Sequence, residues 1–401
     1  MPVRVLLITG SLGPGGTELS VVRLAEALAA RGRVEPQVAL IGSAGEYGAR
    51  LRAAQIAVDE LGIRGALRTP GRLRRLSRLA EIVRRDSVGI IHTFLFDADF
   101  YGMLAARMGG PWGVITTRRA IKQDRRLQLW GYRLTNRFVD RIICNSEAVA
   151  EFTRRHERVD STKLRVIPNG VDTRAFRASD RTSFRRRLGV GPETLLVGSL
   201  GTIKKVKGQQ ILLEAMTPLL QRYPHVKLCL AGEVTKGYGE ELRRRVAQRG
   251  LEGQVLLPGV VDQVPDLLAS LDLFVLPSLS EGMSNALLEA MAAGRAIVAT
   301  KVGGNAENLE QGNAGLLVPA GDVEALRDAV ARLITDAGAR QRFGVYAADR
   351  AEQEYAYTQM LDRTERVYSE LVDEMFGKVY REAPPTTTPA ARDLDRSESQ
   401  A

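Results

Sequence analysis

Two residue types that often carry chemistry are scarce in this sequence. Among 401 residues there are three histidines, His92, His156 and His225, and two cysteines, Cys144 and Cys229. The histidines share no ligand-like spacing, which argues against a histidine metal site. Each cysteine lies in an apolar run and reads as a buried thiol rather than half of a bridge, a usage that fits a reducing cytoplasm. Also lacking is any stretch near the ~20 apolar residues that a membrane helix needs. Val5-Leu6-Leu7-Ile8 is too short for a signal peptide and runs at once into a glycine loop. The expectation is a soluble or peripheral protein.

What is present is ample apolar material and an excess of positive charge. Hydrophobic residues make up 44% and charged residues 26%, and the formal net charge is +10. That balance suits anionic partners: nucleic acid, nucleotide phosphates or an acidic membrane surface. The length fits two domains.

Short apolar runs alternate with longer amphipathic segments. Strands are expected at 3–9, 37–41, 89–93, 113–117, 141–145 and 164–167, with a helix over 17–31. The pattern then restarts, with strands expected at 194–200, 226–231, 255–258, 271–276, 296–300 and 315–318. Strand, helix, strand in repetition implies a parallel sheet covered on both faces, and two such sets imply an α/β protein of two Rossmann-like halves. A charged stretch, 176–193, reads as the linker between residues 1–175 and 194–354. The tail 381–401 has little to bury and is expected to be disordered.

Four clusters can carry chemistry. Gly13-Pro14-Gly15-Gly16-Thr17-Glu18 follows the first strand and opens a helix. Its glycines allow close backbone approach to a ligand and the helix start offers unpaired N–H groups, although a tight turn explains the same residues. Ile167-Pro168-Asn169-Gly170-Val171-Asp172 ends the first set, and a domain-ending turn accounts for most of it. Lys204, Lys205 and Lys207 lie in the loop after the first strand of the second set, where open sheets bind ligands; they suit a diphosphate or a solvated charge run. The strongest cluster is Glu281-Gly282-Met283-Ser284-Asn285, continuing to Glu289 and Gly294. Ser284 fits an N-cap and Gly294 a C-cap. The helix start faces a phosphate, and two carboxylates beside it can accept hydrogen bonds from hydroxyl groups.

Glu281 and Glu289, with seven residues between them, resemble the E-x7-E signature of glycosyltransferase family 4, a family of GT-B fold. Gly13–Glu18 resembles the family's first glycine loop, Ile167–Asp172 its domain-end motif, and Cys144-Asn145-Ser146-Glu147 a further family segment. The resemblance implies two Rossmann-like domains facing across a cleft and a retaining transferase that takes a nucleoside diphosphate sugar. By analogy Glu281 contacts the donor sugar and Glu289 the ribose. Gly282, Met283, Ser284 and Asn285 line the sugar and phosphate, Lys207 pairs with the diphosphate, and Gly15 and Gly16 approach from the first domain, which takes the acceptor. A final helix, 355–380, crosses back to the first domain. No cofactor and no metal is expected. Nucleic acid is not an expected partner.

Two departures stand out. The family's phosphate loop often holds an arginine before its lysine; Ser199 follows Gly198 here, so Lys204 or Lys205 must supply that charge. The family's frequent active-site histidine after the strand 113–117 is replaced by the run Thr116-Thr117-Arg118-Arg119. Arg119 is therefore expected to act electrostatically, with Arg118 as the second candidate. Asp97 and Asp99 have the spacing of a metal motif of another glycosyltransferase fold, but two carboxylates alone are weak evidence for metal. His92 reads as a satisfied core residue. A sugar-nucleotide epimerase on the same fold and a non-catalytic binding module remain alternatives. Arg64, Arg68, Arg72, Arg74, Arg75, Arg78, Arg84 and Arg85 crowd one segment in which Leu73, Leu76, Leu79 and Val83 recur at helical spacing. A basic helix on an anionic inner membrane face, with a lipid-linked acceptor, is one expectation; a solvated helix face is the other.

Overall fold

A computed structural model of the protein describes residues 2–376 apart from 14, 64–69, 111–112, 122–125 and 236, and not the side chains of 70–75, 126–127 and 376. The expected tail 381–401, and Arg64 and Arg68, lie outside the described residues.

Two parallel sheets form the frame. The first contains β1 (Val3–Thr9), β2 (Val34–Leu40), β3 (Val58–Glu60), β4 (Ile90–Phe94), β5 (Gly113–Arg118), β6 (Arg141–Cys144) and β7 (Leu164–Val166), in the order β3-β2-β1-β4-β5-β6-β7. The second contains β8 (Leu195–Leu200), β9 (Val226–Ala231), β10 (Val255–Gly259), β11 (Leu273–Leu276), β12 (Ala296–Thr300) and β13 (Leu316–Val318), in the order β10-β9-β8-β11-β12-β13. Every expected strand is present within a residue or three. Strand β3 was not anticipated, since three residues carry too little periodicity to read.

Both sheets are buried on both faces, which is why their central strands read as continuous apolar runs. In β1, Val5 and Leu7 pack with Leu28 and Leu371 on one face, while Leu6 and Ile8 pack with Leu79 and Tyr101 on the other. In β11, Leu273 and Val275 face Leu212 and Leu333, and Phe274 and Leu276 face Leu287 and Met291. Each sheet reverses its winding between its first strand and the neighbour on the other side, β1 beside β4 and β8 beside β11. Helices leaving such a pair cover opposite faces, so a crevice opens at the carboxyl ends of these strands.

The segment 176–193 is not an extended linker. It holds the helix Arg181–Arg187, just after the helix Thr173–Arg177, and these are capped by Asp180 and Asp172 respectively. Phe176, Phe184 and Val190 are buried in the second core against Leu267, Leu268 and Leu271. The charges that made the segment look solvated occupy its outer side, and the apolar residues are too far apart to form a visible run. The chain later returns to the first sheet: Leu361, Val367, Tyr368, Leu371 and Val372 of the helix Tyr357–Phe376 pack with Val5 and Leu7. At the crossing, the Val171 N–H donates to the Tyr355 carbonyl (2.8 Å) and the Tyr357 N–H to the Val171 carbonyl (2.9 Å).

The basic helix Pro70–Arg85 spends its apolar side inward, with Leu76, Leu79, Ile82 and Val83 buried against Ala98, Tyr101 and Ala105. Arg78, Arg84 and Arg85 are exposed, and the side chains of Arg72, Leu73, Arg74 and Arg75 lie outside the described set. Insertion of that apolar face into lipid would require unpacking the core.

Candidate functional site

The second sheet supplies one wall of the central crevice. After β8 the chain turns through 201–208, and Gly208, at φ +73°, is pressed so close that an added Cβ would lie 2.0 Å from the Pro277 carbonyl oxygen. This approach brings Lys207 to the loop that follows β11. Its Nζ donates to Glu281 Oε1 at 2.7 Å, and Ser278 Oγ donates to the same oxygen at 2.7 Å. Lys204 and Lys205 point into solvent as exposed side chains, so only one of the three lysines is fastened at the site. Ser284 caps the helix Asn285–Ala292 by accepting from the Leu287 N–H at 3.4 Å, and Gly294 closes it in the left-handed region at φ +65°. A cation and an open helix start thus lie in one loop system at a sheet switch point, an arrangement that binds phosphate.

The first sheet supplies the other wall. One face of the helix Gly16–Arg31 presents Gly16, Leu19, Ser20 and Arg23 to a cavity that also meets Thr117, Arg119, Asn169, Asn285, Glu289 and Tyr357. A Cβ on Gly16 would come within 3.6 Å of Asn285 Nδ2, so the first glycine loop approaches the E-x7-E loop directly. Gly282 makes a closer crossing, with an added Cβ only 2.0 Å from the Arg119 carbonyl oxygen. Glu289 stands in this cavity with no hydrogen bond or ion pair among the described residues. Burial pushes its carboxyl up to about 7, against a smaller opposing effect of Arg23. Arg119 donates to Ser20 Oγ at 3.1 Å, and burial pulls its guanidinium down to about 10, with Glu18 opposing.

Several residues of the four clusters join the two halves rather than face the crevice. Asn169 Nδ2 donates to Asn285 Oδ1 (2.7 Å), and its backbone N–H to the sulfur of the buried Met283 (3.1 Å). Met283, expected beside the donor sugar, therefore has its side chain in the contact with Asn169. Ser146 Oγ donates to the Gly282 carbonyl at 3.4 Å. Glu307, which sequence reasoning did not single out, accepts from the backbone N–H groups of Glu147 (2.9 Å) and Ala148 (2.8 Å). A carboxylate of the second half thus caps the helix Glu147–Glu157 of the first, a pairing favoured by the helix dipole. Nothing in the local pattern around Glu307 marks it, because its partners are 160 and 159 residues away.

Beneath the first wall lies a closed ionic network. Arg118 donates to Asp99 Oδ2 (2.7 Å), to both oxygens of Glu157 (3.1 and 3.0 Å) and to Asn136 Oδ1 (2.9 Å), and it stacks over Tyr132 at 3.8 Å. Asp99 also accepts from Thr93 and Thr116. Arg118, the second candidate for an electrostatic role, is thus committed to the interior. Asp97 is exposed on the same helix while Asp99 is buried, so the two carboxylates do not converge. His92 has both ring nitrogens engaged, by the Tyr368 hydroxyl (2.8 Å) and Thr117 Oγ1 (2.7 Å), and burial with the nearby Arg119 lowers its pKa to about 3. It is a satisfied, neutral core residue. Cys144 and Cys229 are both buried free thiols. Among the described residues no group of three or more His, Cys, Asp and Glu side chains is placed to hold a metal, and no helix is long and apolar enough to cross a membrane.

Comparison with known proteins agrees with this arrangement. The family model for glycosyltransferase family 4 matches residues 14–175, and that for glycosyl transferases group 1 matches residues 191–336. A lipopolysaccharide core biosynthesis mannosyltransferase of Rhizobium meliloti is 34% identical over 216 residues, 52% of this chain and 61% of its own length. A D-inositol 3-phosphate glycosyltransferase of Pseudarthrobacter chlorophenolicus is 34% identical over 260 residues, 63% of this chain and 61% of its own. The chain thus spans about three fifths of the length of the curated relatives it matches. Among solved structures, HepE of Anabaena in complex with UDP superposes with a TM-score of 0.81 at 25% identity, covering 92% of this chain and 100% of that one. A glycosyltransferase of Rickettsia africae superposes at 0.83 with 18% identity, covering 92% and 99%, a likeness of fold alone.

Proposed function

The chain belongs to glycosyltransferase family 4, of GT-B fold, and on that premise we propose that it moves a sugar from a nucleoside diphosphate sugar to an acceptor hydroxyl with retention of configuration. The product is a bacterial cell-surface polysaccharide or glycolipid. The observation that carries this reading is the Lys207–Glu281–Ser278 cluster at the β8/β11 switch point, beside the start of the helix Asn285–Ala292. In this reading Lys207 and the N–H groups of residues 282–285 hold the diphosphate, Glu281 the donor sugar, and Glu289 the ribose hydroxyls. Gly15 and Gly16 close over the diphosphate from the opposite wall. UDP is the nucleotide to try first, since HepE was solved with UDP and with UDP-glucose.

The chemistry needs negative charge stabilised as the diphosphate leaves. A lysine and helix N–H groups, fixed before the reaction, supply it without having to reorganise. The bond from the anomeric carbon to the phosphate oxygen breaks and a bond to the acceptor oxygen forms on the same face. The acceptor proton passes to the departing phosphate, because His92 has no ring nitrogen free to take it. The acceptor lies on the side of the first half. A lipid-linked acceptor at the inner membrane face suits the exposed Arg78, Arg84 and Arg85, which would attract anionic lipid by charge alone.

Incubation with UDP-glucose tests the reading. Slow UDP release, speeded by added acceptor and lost in Glu281→Gln, supports it, and NMR of the product gives the anomeric configuration. Turnover is expected to persist in EDTA. Appearance of an epimer of the sugar nucleotide without any acceptor would replace the proposal by an epimerase.

A further inference from the structure

The wall formed by the first half contains positive charge with no ion-pair partner among the described residues. Arg119 is half-buried just after β5, and among the described residues its side-chain hydrogen bond goes to a neutral group, Ser20 Oγ, which itself donates to the Gly16 carbonyl. Among the described residues no carboxylate lies within ion-pair distance of it; Glu18 acts on it only from further away. Arg23 is one turn along the same helix face from Ser20, lines the same cavity and also forms no ion pair among the described residues. The other ionisable groups facing this space are Glu289, whose carboxyl burial pushes up to about 7, the Tyr357 phenol, which burial keeps protonated, and His92, which burial and the nearby Arg119 keep neutral. Lys207 and Glu281 do not line it.

A half-buried guanidinium without a counter-charge loses hydration that nothing replaces unless a ligand brings one. Elsewhere in this protein the cost is avoided: Arg118, the preceding residue, is enclosed by Asp99 and Glu157. Arg119 instead opens its planar fork, a shape matched to phosphate and carboxylate, onto a cavity between the halves. The apolar side chains of Leu19, Phe94, Ile143 and Met360 line the same cavity, and the lower polarity they bring strengthens any ion pair formed there.

We propose that Arg119, assisted by Arg23, is the specificity-determining anchor for an anionic group, a phosphate or carboxylate, carried by the acceptor. The inference rests on the glycosyltransferase reading, for it assigns the anion to the acceptor and not to the donor. Arg119 is then a selector of acidic acceptors, and neutral sugars of the same shape bind poorly. The same chemistry could reach the arginine from the donor's diphosphate, and the experiment separates the two sources.

The full chain is first titrated with UDP, GDP and ADP by calorimetry, then saturated with the tightest of these and titrated with inorganic phosphate. Phosphate is expected to bind the nucleotide-loaded protein. Arg119→Ala should weaken that phosphate binding at least ~tenfold while changing nucleotide affinity less than ~twofold; Arg119→Lys should fall between, and Arg23→Ala should cost a few-fold. A tenfold loss of nucleotide affinity in Arg119→Ala would place the arginine on the donor and overturn the assignment. Equal phosphate binding by wild type and Arg119→Ala, or none by wild type, would overturn it as well. If no nucleotide binds at all, the glycosyltransferase reading is what fails. Phosphate titrated alone then still reads Arg119: loss of binding on Arg119→Ala leaves an anion site, and no change removes it.

Discussion

Arg118 and Arg119 are adjacent in the chain and opposite in circumstance. Successive residues at a strand end point to opposite sides. One side leads into the first domain, where Asp99, Glu157, Asn136 and Tyr132 enclose Arg118. The other leads into the cleft, where Arg119 meets a serine hydroxyl and open space. The contrast repeats in the two carboxylates of the E-x7-E motif. Glu281 is tied to Lys207 and Ser278, whereas Glu289 has no hydrogen-bond or ion-pair partner among the described residues and burial pushes its carboxyl up to about 7. The two arginines teach that a guanidinium enclosed by carboxylates serves the fold, whereas one without them is available to a ligand; at Glu281 pairing instead fastens two groups of the site to each other.

The largest expected effect lies on the enclosed side. Arg118→Ala leaves two buried carboxylates unpaired and should cost about 3–5 kcal/mol in urea unfolding. Replacing Arg118, Asp99 and Glu157 together by neutral residues of similar volume should return much of that loss. If Arg118→Ala unfolds no more easily than Arg119→Ala, the contrast between the neighbours collapses.

Within the motif, Glu281→Gln should lower kcat about hundredfold, because it removes both the sugar contact proposed for it and the group that fastens Lys207. Steady-state kinetics with the preferred donor would measure it, and a variant with unaltered kcat would separate Glu281 from the chemistry.

Glu289 gives the comparison a pH axis. Its folded-state pKa is raised from 4.5 to about 7. A raised carboxyl stabilises the fold fully below its unfolded pKa, and that contribution is lost as pH rises through the folded value. Wild-type stability should therefore fall by on the order of 1–3 kcal/mol from this group between about pH 4.5 and about pH 8, and Glu289→Gln should flatten the slope. An identical slope in both proteins would show that the carboxylate is relieved by solvent.

Glu307→Ala removes the carboxylate that caps the helix Glu147–Glu157 across the halves and should cost about 0.5–2 kcal/mol. The smallest change is expected for Arg119→Ala, less than about 1 kcal/mol and toward greater stability, since the cation it removes has no carboxylate to leave behind. A large destabilisation would give Arg119 a structural role like that of its neighbour.

Much of this was legible along the chain because it is local. Ser284 and Gly294 mark the ends of one short helix, and their spacing is set by helix geometry over a few residues. The central strands of both sheets are legible because strands buried on both faces must be apolar throughout. The family resemblance points to Lys207 for the diphosphate, but residue type and spacing alone do not distinguish it from Lys204 and Lys205. Only the approach of Gly208 to Pro277 shows which of the three meets Glu281. The segment 176–193 misleads because its charges are contiguous, while Phe176 and Phe184 become a core only when Leu267 and Leu271 reach them.

The sequence by itself determined the alternation of strands and helices, the two parallel sheets, and the glycines and carboxylates that line one wall of the cleft. Each of these follows from residue type and short-range spacing. Tertiary structure alone decided that Arg118 is enclosed and Arg119 is not, that Glu307 bridges the halves, and that His92 is fully engaged. Those outcomes depend on which partners arrive from far along the chain, as Glu157 reaches Arg118 and Tyr368 reaches His92. Desolvation and pairing act on atoms brought together by folding, and a charge carries no mark in the sequence of whether its partner will be there.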